Sequence, residues 1–403
     1  MHHSITSVEN PKTATLKLLA YCRANDWAGY DPYDALNSRM FKVLPFLDFR
    51  LPRLILTQGL KRLPFNLRPL LLVPKTQNPK AMALFLMAFL KLERLGLLDD
   101  KGLITLMTQK LIKLRSPDNL ITRNSERGTG NSYFCWGYSF PWQTRTIVVP
   151  LRAPNLVCTS FVTNALLDAY ERNPESRYLS MAINAAEYIL NELYWEDEDS
   201  TACFRYPHSS LRSRIHNANL IGAALFCRVY KLSGEKRFVE PALKVARYSA
   251  AKQHDDGSWD YGELPTQRWV DNFHTGYNLS ALRSICRYAE TSEFEPNIRR
   301  GFEFYRTHFF KNDGAPRYFH DRTYPIDVHC VAQSIITLLE FRDLHENNVS
   351  LAHVIFRRAM TDMWDEQGYF YYQCFPFFRN RISYMRWSQA WMFLALSTLL
   401  EHS

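Results

Sequence analysis

The sequence predicts an all-α fold: a closed double ring of six or seven helical hairpins, with short hairpin loops at one end. Three observations lead there. Amphipathic stretches alternate with uniformly apolar ones, the alternation has a nearly constant period, and the connecting loops repeat with it. The amphipathic set begins with residues 176–194, where Leu179, Ala182, Ile183, Ala186, Ile189, Leu190 and Leu193 share one helical stripe. Residues 237–253, 294–311 and 350–364 show the same spacing. Between them lie apolar helices starting near Cys158, His216, His274, His329 and Trp387, at intervals of 58, 58, 55 and 58 residues. A fixed period of that size marks a repeat architecture. Helices apolar on most faces have to be enclosed, and an inner ring inside an outer ring is the simplest closed arrangement.

The loops carry acidic or Gly turn residues followed by alternating aromatics: 195–207, 255–263, 313–321 and 364–373, with Tyr206, Tyr261, Tyr318 and Tyr371 spaced 55, 57 and 53 apart. This pattern predicts tight turns or short hairpins. Within QHDDGSWDYGE (253–263), Gln253, Asp256, Gly257 and Trp259 resemble the QW repeat of terpene cyclases. Because the stretch is one of four related loops, a structural role is expected for it. In the N-terminal third, GYDPYDALNS (29–38) reads as another junction into an inner helix, 78–96 as an apolar helix and 98–115 as an amphipathic one. Residues 116–157 form a long insertion, expected to be a lid or wall on a single domain spanning 1–403.

At 403 residues, 46% hydrophobic and 14% aromatic, the chain can bury a large core and is no disordered segment. Its net charge of +9 calls for an acidic partner. None of the usual nucleic-acid-binding modules occurs, so no nucleic acid is expected. No apolar run reaches the roughly 18 residues of a membrane span, and the opening residues MHHSITSVENPKTATLKLL lack the apolar run of a signal peptide. Eight scattered cysteines without a CxxC pair read as reduced, buried thiols of a cytoplasmic protein. Residues 49–92 contain Arg50, Arg53, Lys61, Arg62, Arg68, Lys75, Lys80 and Lys91 and no acidic residue. That stretch predicts peripheral contact with an anionic membrane, such as the inner membrane; the alternatives are a basic outer surface or a wall of the cavity that the helix ends form.

The helix period resembles that of the (α/α)6 toroid, shared by six-hairpin glycosidases, polysaccharide lyases, sugar epimerases and terpene cyclases. The resemblance spans nearly the whole chain. More narrowly, GYDPYDALNS, NLRPLLLVPKTQNPKAMALFLMAFLKL, WVDNFHTGYNL and HDRTYPIDVHCVAQSI resemble segments of bacterial proteins associated with polysaccharide biosynthesis. The resemblance implies a carbohydrate context without a reaction.

In such a toroid the inner-helix N-termini gather at one end, each with free N–H groups and partial positive charge. Polar residues recur there: His216, Asn217 and Asn219; Asp271, His274, Tyr277 and Asn278; Asp327, His329 and Gln333; Arg386 and Trp387. Single instances would be caps, but three His at matching repeat positions predict a polar funnel for an acidic poly- or oligosaccharide. His274 or Tyr277 is the expected acid–base residue, with His216 and His329 binding or neutralising the acid. Trp136, Trp269 and Trp387 offer faces for sugar rings, and Arg317, Arg322 and Arg386 supply positive charge. This set suits a lyase or uronate epimerase. Hydrolysis instead requires two facing carboxyls, for which Asp260, Glu263, Asp271 and Asp327 are the candidates. The non-enzymatic alternative is a glycan-binding or scaffold subunit.

Other chemistries find less support. Isoprenoid cyclisation lacks DxDD and DDxxD motifs, and EDED (196–199) reads as a solvated turn. A zinc site could draw on Cys158, His216, His274, His329 and Cys330, but no CxxC or HExxH spacing supports it. No GxSxG elbow appears, and RGTGNSY (127–133) is too short a match for a phosphate loop, so no cofactor is expected.

Overall fold

The computed structural model describes residues 9–44, 48–100, 102–121, 132–199 and 201–402. Most of RGTGNSY and the middle of the 116–157 insertion lie outside the described residues. Helices are numbered α1 to α14 in chain order. Six form the inner ring: α4 (Pro79–Arg94), α6 (Leu156–Arg172), α8 (His216–Ser233), α10 (Asn272–Tyr288), α12 (Val328–Glu340) and α14 (Trp391–Leu400). Each packs on the next, and α14 packs back on α4 to close the circle. Against them lie the outer helices α5 (Gly102–Lys113), α7 (Ser176–Tyr188), α9 (Val239–Ala250), α11 (Glu295–His308) and α13 (Asn348–Met363). The sixth outer position is taken by α1 (Pro11–Ala24), which packs on α14. The last hairpin is therefore assembled from the two ends of the chain.

Burial follows the sequence pattern. In α12 every residue from Val328 to Ile335 is buried, whereas α11 buries one stripe, including Ile298, Phe302 and Tyr305. Caps set the starting points. Asn78, Asn155, Asp271 and Asp327 each accept a backbone N–H from the first turn of the inner helix they precede. Before α14 the chain makes a π-helical turn, Met385–Ala390, which carries Arg386 and Trp387.

The repeat loops take the expected forms. β3 (Tyr194–Glu196) pairs with β4 (Ala202–Phe204), and β6 (Trp364–Asp365) with β7 (Tyr369–Phe370). Gly257, Gly314 and Gly368 occupy the left-handed region in three of the loops, and a Cβ at Gly257 would lie 2.3 Å from the Arg300 carbonyl oxygen. The QW-like residues serve the scaffold. The Gln253 amide donates to the carbonyls of Gly257 and Asn297, and the Trp259 indole to that of Ser249, tying α9, its loop and α11 together.

Among the described residues there are six hairpins, not seven, and residues 29–38 do not lead into an inner helix. They form a short 3-10 turn, Asp34–Asn37, ahead of α2 (Met40–Val43) and α3 (Arg50–Arg62). The acidic residues of this segment hold it to the ring. Asp34 pairs with the fully buried Arg68 at 2.6 Å, Arg68 also donates to the Asp31 carbonyl, and the Asp31 carboxylate receives Arg386 at 2.6 and 2.8 Å. Truncating one member of such a pair strands a buried charge. Arg68→Met should lower stability by about 3–5 kcal/mol in urea unfolding, and Asp34→Leu with Arg68→Met should recover most of that loss.

Candidate functional site

All six inner helices deliver residues from their N-terminal ends to one cavity of about 470 Å³: Lys80, Val157, Asn217, the Phe273–Tyr277 turn, His329 and, ahead of α14, Arg386 with Trp387. Repeat-loop tyrosines Tyr206, Tyr261 and Tyr318 rim it. Tyr138, Phe140 and Trp142 of the insertion line another side, Trp142 lying in a small hairpin of β1 (Trp142–Gln143) and β2 (Val148–Val149). Tyr33 and Lys61 arrive from the N-terminal segment, joined by a 3.0 Å hydrogen bond.

Two acid–base couples meet in this cavity. In the first, Asp271 caps α10 through the His274 amide at 2.9 Å and receives the His274 ring Nδ1 at 2.7 Å. The Trp269 indole donates to the same carboxylate at 3.1 Å. With Nδ1–H held by the carboxylate, imidazole keeps its Nε2 lone pair for the cavity. In the second couple, Tyr277 Oη and His329 Nε2 lie 2.7 Å apart. The His329 ring is clamped between Phe273 and Trp391, centroids 4.5 and 4.6 Å away, with Trp387 edge-on.

Burial sets the protonation states. It drives His329 well below the ordinary histidine range, and Lys80, Arg386 and His274 add repulsion. Burial likewise raises the Tyr277 phenol well above its usual value. Both groups are neutral at physiological pH, so the hydrogen bond can run either way with the His329 tautomer, from Nε2–H to the phenol oxygen or from the phenol to Nε2. With Nε2–H donating, the phenolic proton is free to go to a ligand. With the phenol donating, its oxygen can accept a proton while passing its own to His329. Two polar atoms in the lining, Asn217 Oδ1 and His329 Nδ1, have no protein partner.

Other residues singled out in the sequence sit elsewhere. His216 is buried beside the cavity without lining it. Asp327 is fully buried, capping α12 at the His329 amide and accepting the Trp387 indole at 2.9 Å and the Gln373 amide at 2.7 Å. It positions Trp387 instead of facing a ligand. Asn219 pins the β4 hairpin through Phe204 N–H. Asn278 is buried within the helix packing, and Gln333 lines a second cavity at the other end of the barrel. Tyr277, Phe161 and Trp391 also border that second cavity. Trp136 is a core residue whose indole donates to the Leu111 carbonyl, so it offers no face to a sugar. Asp260 lies 3.5 Å from His254, and Glu263 pairs with Tyr248 and Arg214. Arg317 donates to the His308 carbonyl and Arg322 to Asp321. None of these last four lines the cavity. The facing carboxyl pair expected for hydrolysis is therefore not assembled: Asp271 is the only carboxylate lining the cavity among the described residues, and it is committed to His274. Among the described residues no three His, Cys, Asp or Glu side chains group to hold a metal, and the five thiols and imidazoles considered for zinc do not converge.

The sequence reading does not single out Tyr33 or Tyr138, and it places Lys61 and Lys80 in the basic stretch 49–92, where a cavity wall is only an alternative to membrane contact. Lys80 is the most consequential. It is buried and lines the cavity, with its Nζ 3.9 Å from the Phe161 ring centroid. The basic stretch 49–92 is thus no continuous outward patch. Arg68 and Lys80 are buried, Lys61 faces the cavity, Lys91 pairs with Glu401 and Arg53 with Asp48.

Solved structures share this architecture. A cellobiose 2-epimerase from Bacillus thermoamylovorans B4167 is similar at a TM-score of 0.61 and 9% identity, covering 82% of this chain and 90% of that one. An unsaturated glucuronyl hydrolase specific for heparin gives 0.59 at 12% identity, over 97% and 96% of the two chains. The GH76 alpha-mannanase BT2949 of Bacteroides thetaiotaomicron gives 0.59 at 12%, over 80% and 86%. At these identities the likeness shows the fold, the (α/α)6 toroid. No known family profile matches the chain, and no curated protein matches it in sequence.

Burial of His216 lowers its pKa from 6.5 to about 4. The unfolded chain therefore binds a proton there that the folded chain refuses, and stability is lost as pH falls from 6.5 toward 4, by up to about 1.4 kcal/mol per unit. Asp34 and Asp327, pushed up to about 6 by burial, act in the opposite sense. The informative quantity is thus the difference from the parent at each pH. His216→Asn should show a shallower loss over that window in urea midpoints measured from pH 7 to pH 4.

Proposed function

We propose that this protein is a carbohydrate-active enzyme that moves a carbon-bound proton of an acidic sugar, by epimerisation or β-elimination. One observation carries the reading: the Asp271–His274 and Tyr277–His329 couples meet in one cavity, with the His274 and Tyr277 ring centroids 6.0 Å apart. His274 Nε2, oriented by Asp271, is placed to remove a proton, and Tyr277, backed by His329, to deliver one or to take up the opposite step. Epimerisation requires such a pair, since the proton leaves one face and returns to the other. Elimination uses the same pair as base and acid. Trp269 and Trp387 present aromatic surface for a sugar ring, and Lys61 and Arg386 bring positive charge to the lining. Structural neighbours named as epimerase, hydrolase and mannanase support a carbohydrate substrate. Hydrolysis by two facing carboxyls is disfavoured by the lone, committed Asp271.

The membrane reading keeps support from apolar exposure instead of charge density. Leu51 and Ile55, one turn apart on α3, are 60% and 63% exposed, and Phe49, Phe65, Leu70 and Leu72 of the same segment are also exposed, as are Arg50 and Arg62. Lys61 of the same helix lines the cavity, so a lipid surface at this face would lie near the mouth. Among the described residues, no helix is long and apolar enough to cross a membrane.

Two measurements test these readings. Incubated in D2O with glucuronate-containing oligosaccharides, the enzyme should place deuterium on a ring carbon or yield an unsaturated uronate. Tyr277→Phe and His274→Gln should each lower that rate by about 100-fold or more. Glycosidic cleavage that survives both substitutions, with no isotope in the sugar, would refute the assignment. In vesicle sedimentation, phosphatidylserine-containing liposomes should retain the protein, and Leu51→Ser with Ile55→Ser should release it. Equal recovery of parent and variant in the supernatant would dismiss membrane contact.

A further inference from the structure

We propose that Lys80 is the anion-recognition residue of this cavity, pairing with carboxylate or phosphate oxygens carried by the sugar. The inference rests on the carbohydrate reading above and names the position where the acidic group sits. Three features of the fold single out this side chain. Other deeply buried cations have partners: Arg386 is held by Asp31, Arg68 by Asp34, and Arg228 by Asp168 and Glu171. Lys80 has no carboxylate within ion-pair distance among the described residues, although it is only 4% exposed. It also stands in the first turn of α4, right after the Asn78 cap, where the helix dipole disfavours a cation and favours an anion.

The groups facing Lys80 come from five elements, and none of these supplies a counter-charge; the Asp31 carboxylate acts on the amine only from beyond ion-pair distance and is already bound by Arg386. From α6 come Phe161 and the Cys158 thiol, which burial pushes up to about 12 and so keeps neutral. Tyr277 of α10 and Trp391 of α14 offer rings with centroids 5.5 and 5.2 Å from Nζ. From α12 comes neutral His329, and from the π-helical turn Arg386, whose charge Asp31 already satisfies. Burial, reinforced by Arg386, holds the amine well below the ordinary lysine range. An entering anion supplies the missing counter-charge, so the amine takes up a proton as the ligand binds, and affinity falls as pH rises.

Calorimetry on the full chain tests this with D-glucuronate, glucose 1-phosphate and glucose, at pH 7.5 in two buffers of different protonation enthalpy. Wild type should bind at least one anionic probe more tightly than glucose, with net proton uptake. The better of the two anions distinguishes a carboxylate from a phosphate. Lys80→Met should weaken anion binding by about tenfold or more while leaving glucose within about twofold. Lys80→Arg, permanently charged, should keep much of the anion preference and lose the proton uptake. A lysine that only packs on the rings would leave preference and proton uptake unchanged in both variants, and that result overturns the proposal. So does a wild type that prefers neither anion to glucose. Lys80-dependent anion binding without exchange of carbon-bound hydrogen would keep this inference and discard the acid–base reading. Tyr277-dependent turnover of neutral sugars would do the reverse.

Discussion

Ring closure is the constraint on which the rest of this structure depends. An inner helix such as α12, buried almost all round, has no stable surface to present to water and needs neighbours on both sides and one outside. The sixth hairpin pairs the first helix of the chain with the last, α1 with α14. Closure therefore completes the core and gathers six N-termini at one end in a single step. The cavity is a consequence: close-packed through its middle, the barrel widens where its helices begin. A sequence that satisfies the apolar requirement along each helix remains free to vary the first turn, and here those first turns carry His, Tyr, Lys and Asn.

The polar groups at that end fall into two sets. One is spent on the scaffold. Asn219 and Gln389 hold their repeat loops by the backbone of Phe204 and Phe370, and Asp327 fixes both a helix start and Trp387. The other set is left with unmet capacity: an amide oxygen on Asn217 and a ring nitrogen on His329 have no protein partner, and the buried amine of Lys80 has no carboxylate within ion-pair distance among the described residues. Buried polar atoms without partners cost stability, and a ligand in this cavity would offer partners to the two that line it, Asn217 Oδ1 and His329 Nδ1. Burial also explains why neutral Tyr277 and His329, and a lysine amine held well below its ordinary range, can sit close to Arg386, whose charge is absorbed by Asp31 in a bidentate pair.

Much of the ring was legible because helix periodicity and a 55–58-residue repeat are both written in apolar spacing. The repeat also carried His274, Tyr277, Asp271 and His329 to the correct end of the barrel. It could not separate cavity-facing residues from those between helices, because that depends on each helix's rotation about its axis. Asn219, Asn278 and Gln333 share the right end or the turn below it, yet point elsewhere. Lys80 escaped for a different reason. It lies 78 residues before Cys158, well beyond the repeat interval, because the 116–157 insertion interrupts the spacing. It falls among the other basic residues of 49–92, a stretch that reads first as a membrane-contact patch. The useful signal was local: an Asn-Pro-Lys start on a strongly apolar helix places that lysine at an inner-ring mouth.

The most direct test of this account is a crystal structure of the protein with D-glucuronate bound. The account predicts the sugar inside the ring mouth, its ring against Trp269 or Trp387, and one carbon flanked by His274 Nε2 and Tyr277 Oη. A sugar seated instead in the cavity at the opposite end, beside Arg228 and Glu340, or on the outer surface near Phe377, would contradict it.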